Sequence, residues 1–491
     1  MRINRFLFLF SLILAVSIAA KAQIQVRVKF AEIPNLTYQL DCVSDLPVNC
    51  SRQNLGELWT REFLKTDEDR RMLREWARLR DLYSEDIRLG ENSANPSTLN
   101  LFDKIRIAGF QADGAEDYLA RLDLLTAPKD RAAFARIINY FEPRFKIWWQ
   151  SEAEKAGGEF ARQTDVLLRS PKISEPVKQF YNFYAPALPV DYPISFNLFY
   201  TPGAIKEQTS GQQLENYSLM EFKVKENPAQ RIDVAVHELC HFFYDNMKPE
   251  TRARLEERFY STKKASAIPA YNLLNESLAA ALGNGIIARA VTPPAEYAKY
   301  LAAQKSFYNN DSIDRAAKAI LPLLDKRLKS GKTIDDAKFV DDYISALEKS
   351  FGADLLRPKL YLSEMFLFVD EKFGVSMRRD VRRTLETASF YAVEADWTDK
   401  NILDDYQNNP RLNSVFIVHP DNLGELVKNK IISDVQLKVV QNEYAAKQQI
   451  LFAAERAPFT YVYIVVAPDA EGAKKLIGKL ADAGQFQGVY K

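Results

Sequence analysis

The sequence predicts an α+β protein that is mainly helical and ends in a small α/β module. Three observations support this prediction. From Leu55 to about Phe180, apolar residues recur at the three- and four-residue spacing of amphipathic helices. Residues 192–200 and 217–224 are rich in aromatic and aliphatic side chains, which is typical of strands. In residues 411–491, β-rich runs alternate with helical stretches, which indicates a separate α/β unit.

The changes in pattern also suggest how the domains are organised. An alternating run at 24–30 predicts a strand, and residues 23–190 otherwise form a mostly helical N-terminal region. We assign residues 191–410 to a second domain and residues 411–491 to the α/β module. The polar segment 404–413 is expected to connect these two.

The second domain is expected to contain strands and then a series of helices. Asn227 caps a helix that runs to about Met247. Another helix begins at Pro269 and is expected to end at the Gly-Asn-Gly cluster 283–285, because these residues tolerate the left-handed conformation of a helix end. The later predictions are helices at 294–308, 312–328 (bent or broken at Pro322), 334–351 and 378–393, and a strand at 359–369.

The composition favours a large folded protein. Hydrophobic residues make up 47% and aromatic residues 12% of the chain, which is enough to fill the cores of two or three domains. The formal charge is +1 for the whole chain and −2 without residues 1–22. A chain this neutral has no global electrostatic preference for nucleic acid or for anionic membranes. The composition does not predict the oligomeric state.

Residues 1–22 have the pattern of a secretory signal peptide. Arg2 and Arg5 form a basic start, an apolar run follows, and a small-residue cleavage site ends at Ala22. The apolar run is short for a membrane span, and an uncleaved anchor is the alternative. We expect an exported protein, periplasmic or extracellular (secreted), with no stable membrane insertion after the signal is cleaved.

The cysteines are consistent with export. Cys42 and Cys50 lie eight residues apart in a loop-like stretch. In an oxidising compartment they can form a small-loop disulfide, and two free thiols are the alternative. Cys240 lies within a predicted helix and is expected to be a small apolar packing residue.

The pentapeptide His237-Glu238-Leu239-Cys240-His241 is the most specific motif of the chain. On a helix, positions i and i+4 lie on one face about 5–6 Å apart, so both imidazoles can bind one metal ion. The glutamate between them is placed to accept a proton from a metal-bound water. An ordinary helix with two polar residues is the alternative.

Two imidazoles do not complete a catalytic zinc site, which needs three protein ligands and one open position. The third histidine, His419, lies 178 positions beyond His241, so we expect a carboxylate instead. Glu276 is the best candidate because its helix is otherwise largely apolar, and a surface carboxylate is the alternative. Asp233 and Asp245 are candidates for hydrogen bonds that orient the imidazoles.

The HELCH motif and the later NESLA at 275–279 resemble the HExxH and NExxA pair of gluzincin metallopeptidases, especially those similar to aminopeptidase N. The resemblance implies a zincin-like catalytic domain, zinc bound by His237, His241 and Glu276, and Glu238 as the general base. The 34 residues between the second and third ligands exceed the family's usual interval. The exopeptidase motif GxMEN is absent, so the resemblance does not extend to an aminopeptidase assignment.

We therefore expect an exported zinc metallopeptidase, a hydrolase that cleaves a peptide or protein substrate with a zinc-activated water and Glu238 as the base. The strand at 217–224 is expected to bind substrate as an added strand. Tyr297 and Tyr300 are candidate donors to the oxyanion. Two alternatives are a non-catalytic zincin-like protein that binds metal or a partner, and a cell-envelope interaction protein in which the motif is accidental. The cleavage specificity is not predicted.

Overall fold

In the computed structural model, the described residues are 24–44, 46, 48, 50–83, 101–203, 210–223, 226–374, 376–385, 391–395, 400–483 and 486–490. The predicted signal peptide lies outside them. Within these ranges helices predominate over small mixed sheets, which confirms the mainly helical α+β prediction. Among the same residues, no helix has both the length and the apolar character that crossing a membrane requires.

The chain divides into two compact units. Of the described residues, 24–82 and 101–238 belong to the first unit, and 83 and 239–490 belong to the second. The boundary lies inside the helix Ile232–Asp245, so this helix contributes residues to both units.

The first unit combines a helical region with a small sheet. The helical stretch predicted from Leu55 to about Phe180 is observed as a succession of helices in the described residues. The elements of the unit, in chain order, are β1 (Val26–Lys29), α1 (Glu32–Val43), α2 (Arg52–Glu62), α3 (Asp67–Leu82), α4 (Leu101–Gln111), α5 (Ala115–Leu122), α6 (Pro128–Trp148), α7 (Glu154–Arg169), α8 (Pro171–Tyr184), β2 (Ile194–Tyr200), β3 (Gly211–Leu214) and β4 (Tyr217–Phe222).

The sheet of the first unit has the strand order β1-β2-β4-β3. β1, β2 and β4 run parallel to one another, whereas β3 is antiparallel to β4. β2 and β4 are almost entirely buried, as their aromatic and aliphatic composition predicts. Because β4 has a neighbour on each side, the prediction that the strand at 217–224 binds substrate as an added strand is wrong. The edge on this side of the sheet is β3.

The sequence left two alternatives for Cys42 and Cys50, a disulfide and two free thiols, and the structure shows the disulfide. Cys42 and Cys50 are bonded, and their Cα atoms lie 6.2 Å apart. The neighbouring Asp41 is buried, and its carboxylate accepts hydrogen bonds from Trp76 Nε1 and Arg80 Nε, each at 2.9 Å. A buried carboxylate needs such partners because it has lost its hydration.

The second unit begins within a long helix and continues through a helical region into a second sheet. Its elements, in chain order, are α9 (Ile232–Asp245), α10 (Pro249–Ser261), α11 (Ala267–Asn272), α12 (Leu274–Ala279), α13 (Ala288–Val291), α14 (Pro294–Ala302), α15 (Asp311–Lys329), α16 (Phe339–Phe351), α17 (Pro358–Tyr361), β5 (Glu364–Val369), α18 (Ser376–Leu385), β6 (Tyr391–Ala395), α19 (Lys400–Asn408), β7 (Asn413–Val418), α20 (Leu423–Lys428), α21 (Asp434–Lys447), β8 (Ile450–Ala457), β9 (Thr460–Val466), α22 (Ala470–Asp482) and β10 (Gly488–Val489).

The predicted helix end at the Gly-Asn-Gly cluster is wrong. α12 continues directly into a π-helical segment, Ala280–Ile287, and then into α13. Neither glycine of the cluster has a positive φ. A Cβ on Gly285 would lie 2.8 Å from the Phe307 ring and 3.0 Å from Leu321 Cδ1. Gly285 therefore permits close packing against Phe307 and against Leu321 of α15, and it does not adopt a left-handed conformation.

Two other boundaries also differ from the prediction. In addition, α15 is continuous through Pro322, so a break there is wrong and a bend stays a prediction. The strand predicted at 359–369 begins only at Glu364, after the short helix α17. Of the helix predicted at 378–393, the described part up to Leu385 is helical, and β6 occupies residues 391–393 of that range. The local sequence permits more than one boundary at these places.

The helix that follows the HELCH helix has a direct role at the end of α9. Arg252, in the first turn of α10, is buried and donates from Nη2 to the Tyr244 backbone oxygen at 2.7 Å. A cation there satisfies one of the carbonyl groups that every helix leaves unpaired at its C-terminus.

The second sheet has the strand order β10-β8-β9-β7-β5-β6. β9, β7, β5 and β6 are parallel, whereas β8 is antiparallel to both β9 and β10. Alternate residues of its strands pack into two cores, one with α18 and α22 and one with α19, α20 and α21. An α/β module is therefore present in the C-terminal part of the chain. It includes β5 and β6, which precede residue 411, and the predicted connecting segment 404–413 overlaps α19 and β7.

Candidate metal centre

The helix α9 forms where the sequence predicts it. Asn227 Oδ1 accepts a hydrogen bond from the Ala229 backbone N–H at 2.9 Å and caps a 3₁₀ turn, after which α9 begins at Ile232. Cys240 is fully buried, as expected of a packing residue. The other fully buried positions of this helix are Ile232, Ala235, Val236 and Leu239.

The structure brings His237, His241 and Glu276 together. Each side chain offers one ligand atom, and the three atoms lie within 4.8 Å of one another. His241 Nε2 and Glu276 Oε2 are 3.6 Å apart. Neighbouring ligands of a tetrahedral zinc ion lie about 3.4 Å apart, since the Zn–N and Zn–O bonds are about 2.0–2.2 Å. The 3.6 Å separation is close to this value, and two imidazoles with a carboxylate are a donor set that could hold a divalent metal ion.

Asn275 determines the orientation of His241. His241 Nδ1 lies 3.0 Å from Asn275 Oδ1. Because an amide oxygen can only accept a hydrogen bond, Nδ1 is the donor to Asn275, which leaves Nε2 as the ring nitrogen that could bind a metal. Nε2 is the atom beside Glu276. This hydrogen bond therefore selects the tautomer and the ring orientation that a metal ligand requires.

Glu238 lies against the first residue of β3. Its side chain is buried, with 5% exposure. A Cβ added to Gly211 would lie 2.3 Å from Glu238 Oε1 and 3.0 Å from Glu238 Cδ. An added side chain would have to displace the end of the Glu238 side chain, so Gly211 leaves the space that the Glu238 carboxylate occupies.

The remaining candidates from the sequence have other observed contacts. Asp233 Oδ1 accepts a hydrogen bond from the Val234 backbone N–H at 2.9 Å, and Asp245 is exposed. The Tyr297 and Tyr300 rings have centroids 6.3 Å apart, and Tyr300 stacks on a phenylalanine of the same helical region. The donor to the oxyanion remains a prediction.

Two functional candidates were missed by the sequence analysis. Asn275 is the first residue of the NExxA motif, and its position next to Glu276 was a usable signal. Gly211 lies in the segment between the two strands that the sequence predicts at 192–200 and 217–224. Its approach to Glu238 depends on how β3 packs, so no local pattern reveals it.

A helical arrangement that presents two imidazoles and a carboxylate, with a second carboxylate on the same helix as the imidazoles, defines a candidate mononuclear metal site. No protein-family model, no curated protein and no solved structure matches this chain. The function is therefore inferred from the chemistry of the site.

Removing the Asn275 amide is expected to weaken metal binding without abolishing it. In Asn275→Ala, the His241 ring loses the acceptor that fixes its tautomer, and we expect zinc affinity to fall by about 10–100-fold. Competition with a chromophoric chelator measures this change. Asn272→Ala is the matched control, because its amide donates to the backbone oxygens of Leu360 and Tyr361. Equal zinc affinity in both variants would contradict the role of Asn275.

Proposed function

We propose that this protein is an exported zinc metallopeptidase of the gluzincin type. In this proposal His237, His241 and Glu276 bind zinc, and Glu238 is the general base. The main support is the gathering of three ligand atoms within 4.8 Å, from side chains that the HExxH and NExxA motifs mark. The signal-like residues 1–22 support export.

The chain's own residues have distinct tasks in this reaction. A zinc ion, when bound, supplies a Lewis acid that lowers the pKa of water and polarises a carbonyl group. His237 and His241 contribute neutral imidazoles, and Glu276 contributes a negative charge. Glu238 accepts the proton of the attacking water at a carboxylate oxygen and then delivers it to the leaving amine. Its burial limits access of bulk water to the proton during this transfer.

The edge strand β3 is the proposed place for the substrate backbone. The Glu221 backbone N–H donates to the Ser210 backbone oxygen at 2.9 Å, so these two residues form a hydrogen-bonded pair. Hydrogen-bonded and non-bonded pairs alternate along antiparallel strands. Gln213 therefore directs its backbone N–H and C=O groups away from β4. An extended peptide can pair with these groups of Gln213, two residues along β3 from Gly211.

Metal removal and restoration test the proposal. We expect the purified protein to contain one zinc ion per chain and to cleave members of a mixed peptide library detected by mass spectrometry. Treatment with a zinc chelator should abolish cleavage, and zinc should restore it, because the polarising ion is essential to this chemistry. Cleavage that survives complete metal removal would contradict the proposal. Stoichiometric zinc without any cleavage would favour the non-catalytic zincin-like alternative.

A further inference from the structure

Glu221 of β4 is a buried carboxylate that the proposed reaction does not yet use. Its side chain is 1% exposed. Tyr38 Oη and the Ser51 backbone N–H donate to Oε1 at 3.0 and 2.9 Å. Ser51 Oγ, the Ser210 backbone N–H and Ser210 Oγ donate to Oε2 at 2.7, 2.9 and 3.0 Å. Five donor groups thus compensate the carboxylate for its lost hydration.

These hydrogen bonds show that the Glu221 carboxylate accepts from donors of its own chain and is not a substrate-binding group. A carboxylate that already receives five donors and has almost no exposed surface does not offer its charge to a substrate amine. Tyr38 agrees with this interpretation, because burial together with the neighbouring Glu221 charge raises the pKa of the phenol. The phenol therefore stays protonated and donates to the carboxylate.

Ser210 is the partner with the most polar groups hydrogen-bonded to Glu221. Its backbone N–H and Oγ both donate to the Glu221 side chain, and its backbone oxygen accepts from the Glu221 backbone N–H. All three polar groups of Ser210 therefore bind Glu221, and the Ser210 side chain also forms a hydrogen bond with Tyr38. The position of the chain at the start of β3 is fixed as a consequence.

Gly211, the next residue, links the fixed position of Ser210 to the proposed base, Glu238. Gly211 follows Ser210 directly, and its Cα approaches Glu238 so closely that an added Cβ would lie 2.3 Å from Oε1. The backbone at Gly211 therefore limits where the Glu238 carboxylate can lie. A shift of the strand end would either crowd this carboxylate or open a space beside it.

We propose that Glu221 is a positioning residue for Glu238, acting through Ser210 and Gly211. This inference rests on the proposed function, since it concerns the general base of that reaction. Glu221 holds the beginning of β3, and β3 holds the base at the distance that proton transfer requires. Misplacing a reacting group by about 1 Å can reduce a rate by about 100-fold, so a modest movement of β3 is sufficient for a large effect.

Glu221→Gln is the first test. The variant keeps the shape of the side chain, but its NH₂ group faces donors, so Ser210 loses part of its anchoring. We expect kcat to fall by about 10–100-fold, with KM changed by less than about threefold and zinc content unchanged. Gly211→Ala should give the same kinetic pattern, because the added methyl group displaces the flexible end of Glu238 at little cost in stability.

The matched control is Asp69→Asn. Asp69 is another fully buried carboxylate of the first unit. It accepts hydrogen bonds from the Lys65 and Thr66 backbone N–H groups, Thr66 Oγ and Tyr140 Oη, and it forms an ion pair with Arg144 Nη2 at 2.8 Å. None of these partners lies in the sheet or in α9. We expect this variant to lose thermal stability comparably while its kcat stays within about twofold of the wild type.

Hydrogen exchange gives a readout that does not require activity. The amides of residues 210–214 should exchange faster in Glu221→Gln than in Asp69→Asn. The inference is overturned if wild type cleaves peptides and the two carboxylate variants have the same kcat, or if exchange at 210–214 is equal in both. A wild type without metal-dependent cleavage overturns the proposed function itself, and with it the positioning role.

Discussion

Replacing Glu238 by glutamine is expected to slow peptide cleavage strongly while zinc stays bound. The amide has nearly the same shape as the carboxylate but cannot accept the proton of the attacking water. General-base catalysis typically contributes about 10²–10⁴-fold to a rate, and we expect kcat/KM to fall within that range. The three ligand side chains remain, so zinc content measured by atomic spectroscopy should equal that of the wild type.

A second glutamate gives the control for this substitution. Glu250, in the first turn of α10, is exposed, and Glu250→Gln should cleave peptides at the wild-type rate. If Glu238→Gln and the wild type cleaved the library equally, Glu238 would not be the base. If the Glu238→Gln sample also retained zinc, the assignment of the base would be wrong, and the assignment of the metal ligands would stand.

Replacing His241 by alanine is expected to remove zinc and activity together. This change deletes a ligand atom, whereas Asn275→Ala only releases the ring, so the loss of zinc affinity should exceed the 10–100-fold expected for the asparagine variant. Titration of the metal-free protein with zinc measures the affinity, and peptide cleavage measures the activity. Glu276→Ala should have the same phenotype.

His419, the third histidine of the chain, provides the control for His241→Ala. His419 lies after β7, and its Nδ1 accepts a hydrogen bond from the Asp421 backbone N–H at 3.3 Å. His419→Ala should therefore retain both zinc and activity. If the two histidine variants bound zinc with the same affinity as wild type, the assigned ligand set would be incorrect.

The grouping at the site could be predicted because its main determinants are local. The i and i+4 spacing on a helix places His237 and His241 on one face, whatever the rest of the chain does. Glu276 could be selected because it is an acidic residue in a largely apolar helix. The close approach of Gly211 to Glu238 and the anchoring of Ser210 by Glu221 required the structure. Both depend on contacts between residues that are distant in the sequence.

The fold was predictable in class and in the type of most elements, but less so in strand order and helix ends. The composition of β4 indicates a buried strand, yet it does not reveal which strands lie beside it. At Gly285 the expected helix end is replaced by tight packing against Phe307. Pro322 likewise lies within a continuous helix, although proline lacks the backbone N–H that the helix interior uses. In each case tertiary contacts outweigh a local preference.

The interval of 34 residues between His241 and Glu276 has a structural meaning beyond its length. It contains α10, whose Arg252 donates to the Tyr244 carbonyl near the end of α9. A shortened chain that brought the motifs to the usual gluzincin interval by deleting α10 would lose this guanidinium. The Tyr244 carbonyl, in the last turn of α9 close to His241, would keep its hydrogen bond from the Met247 backbone N–H but lose its charged donor. Grafting experiments between this chain and shorter-interval metallopeptidases should therefore transfer α10 together with the two motifs.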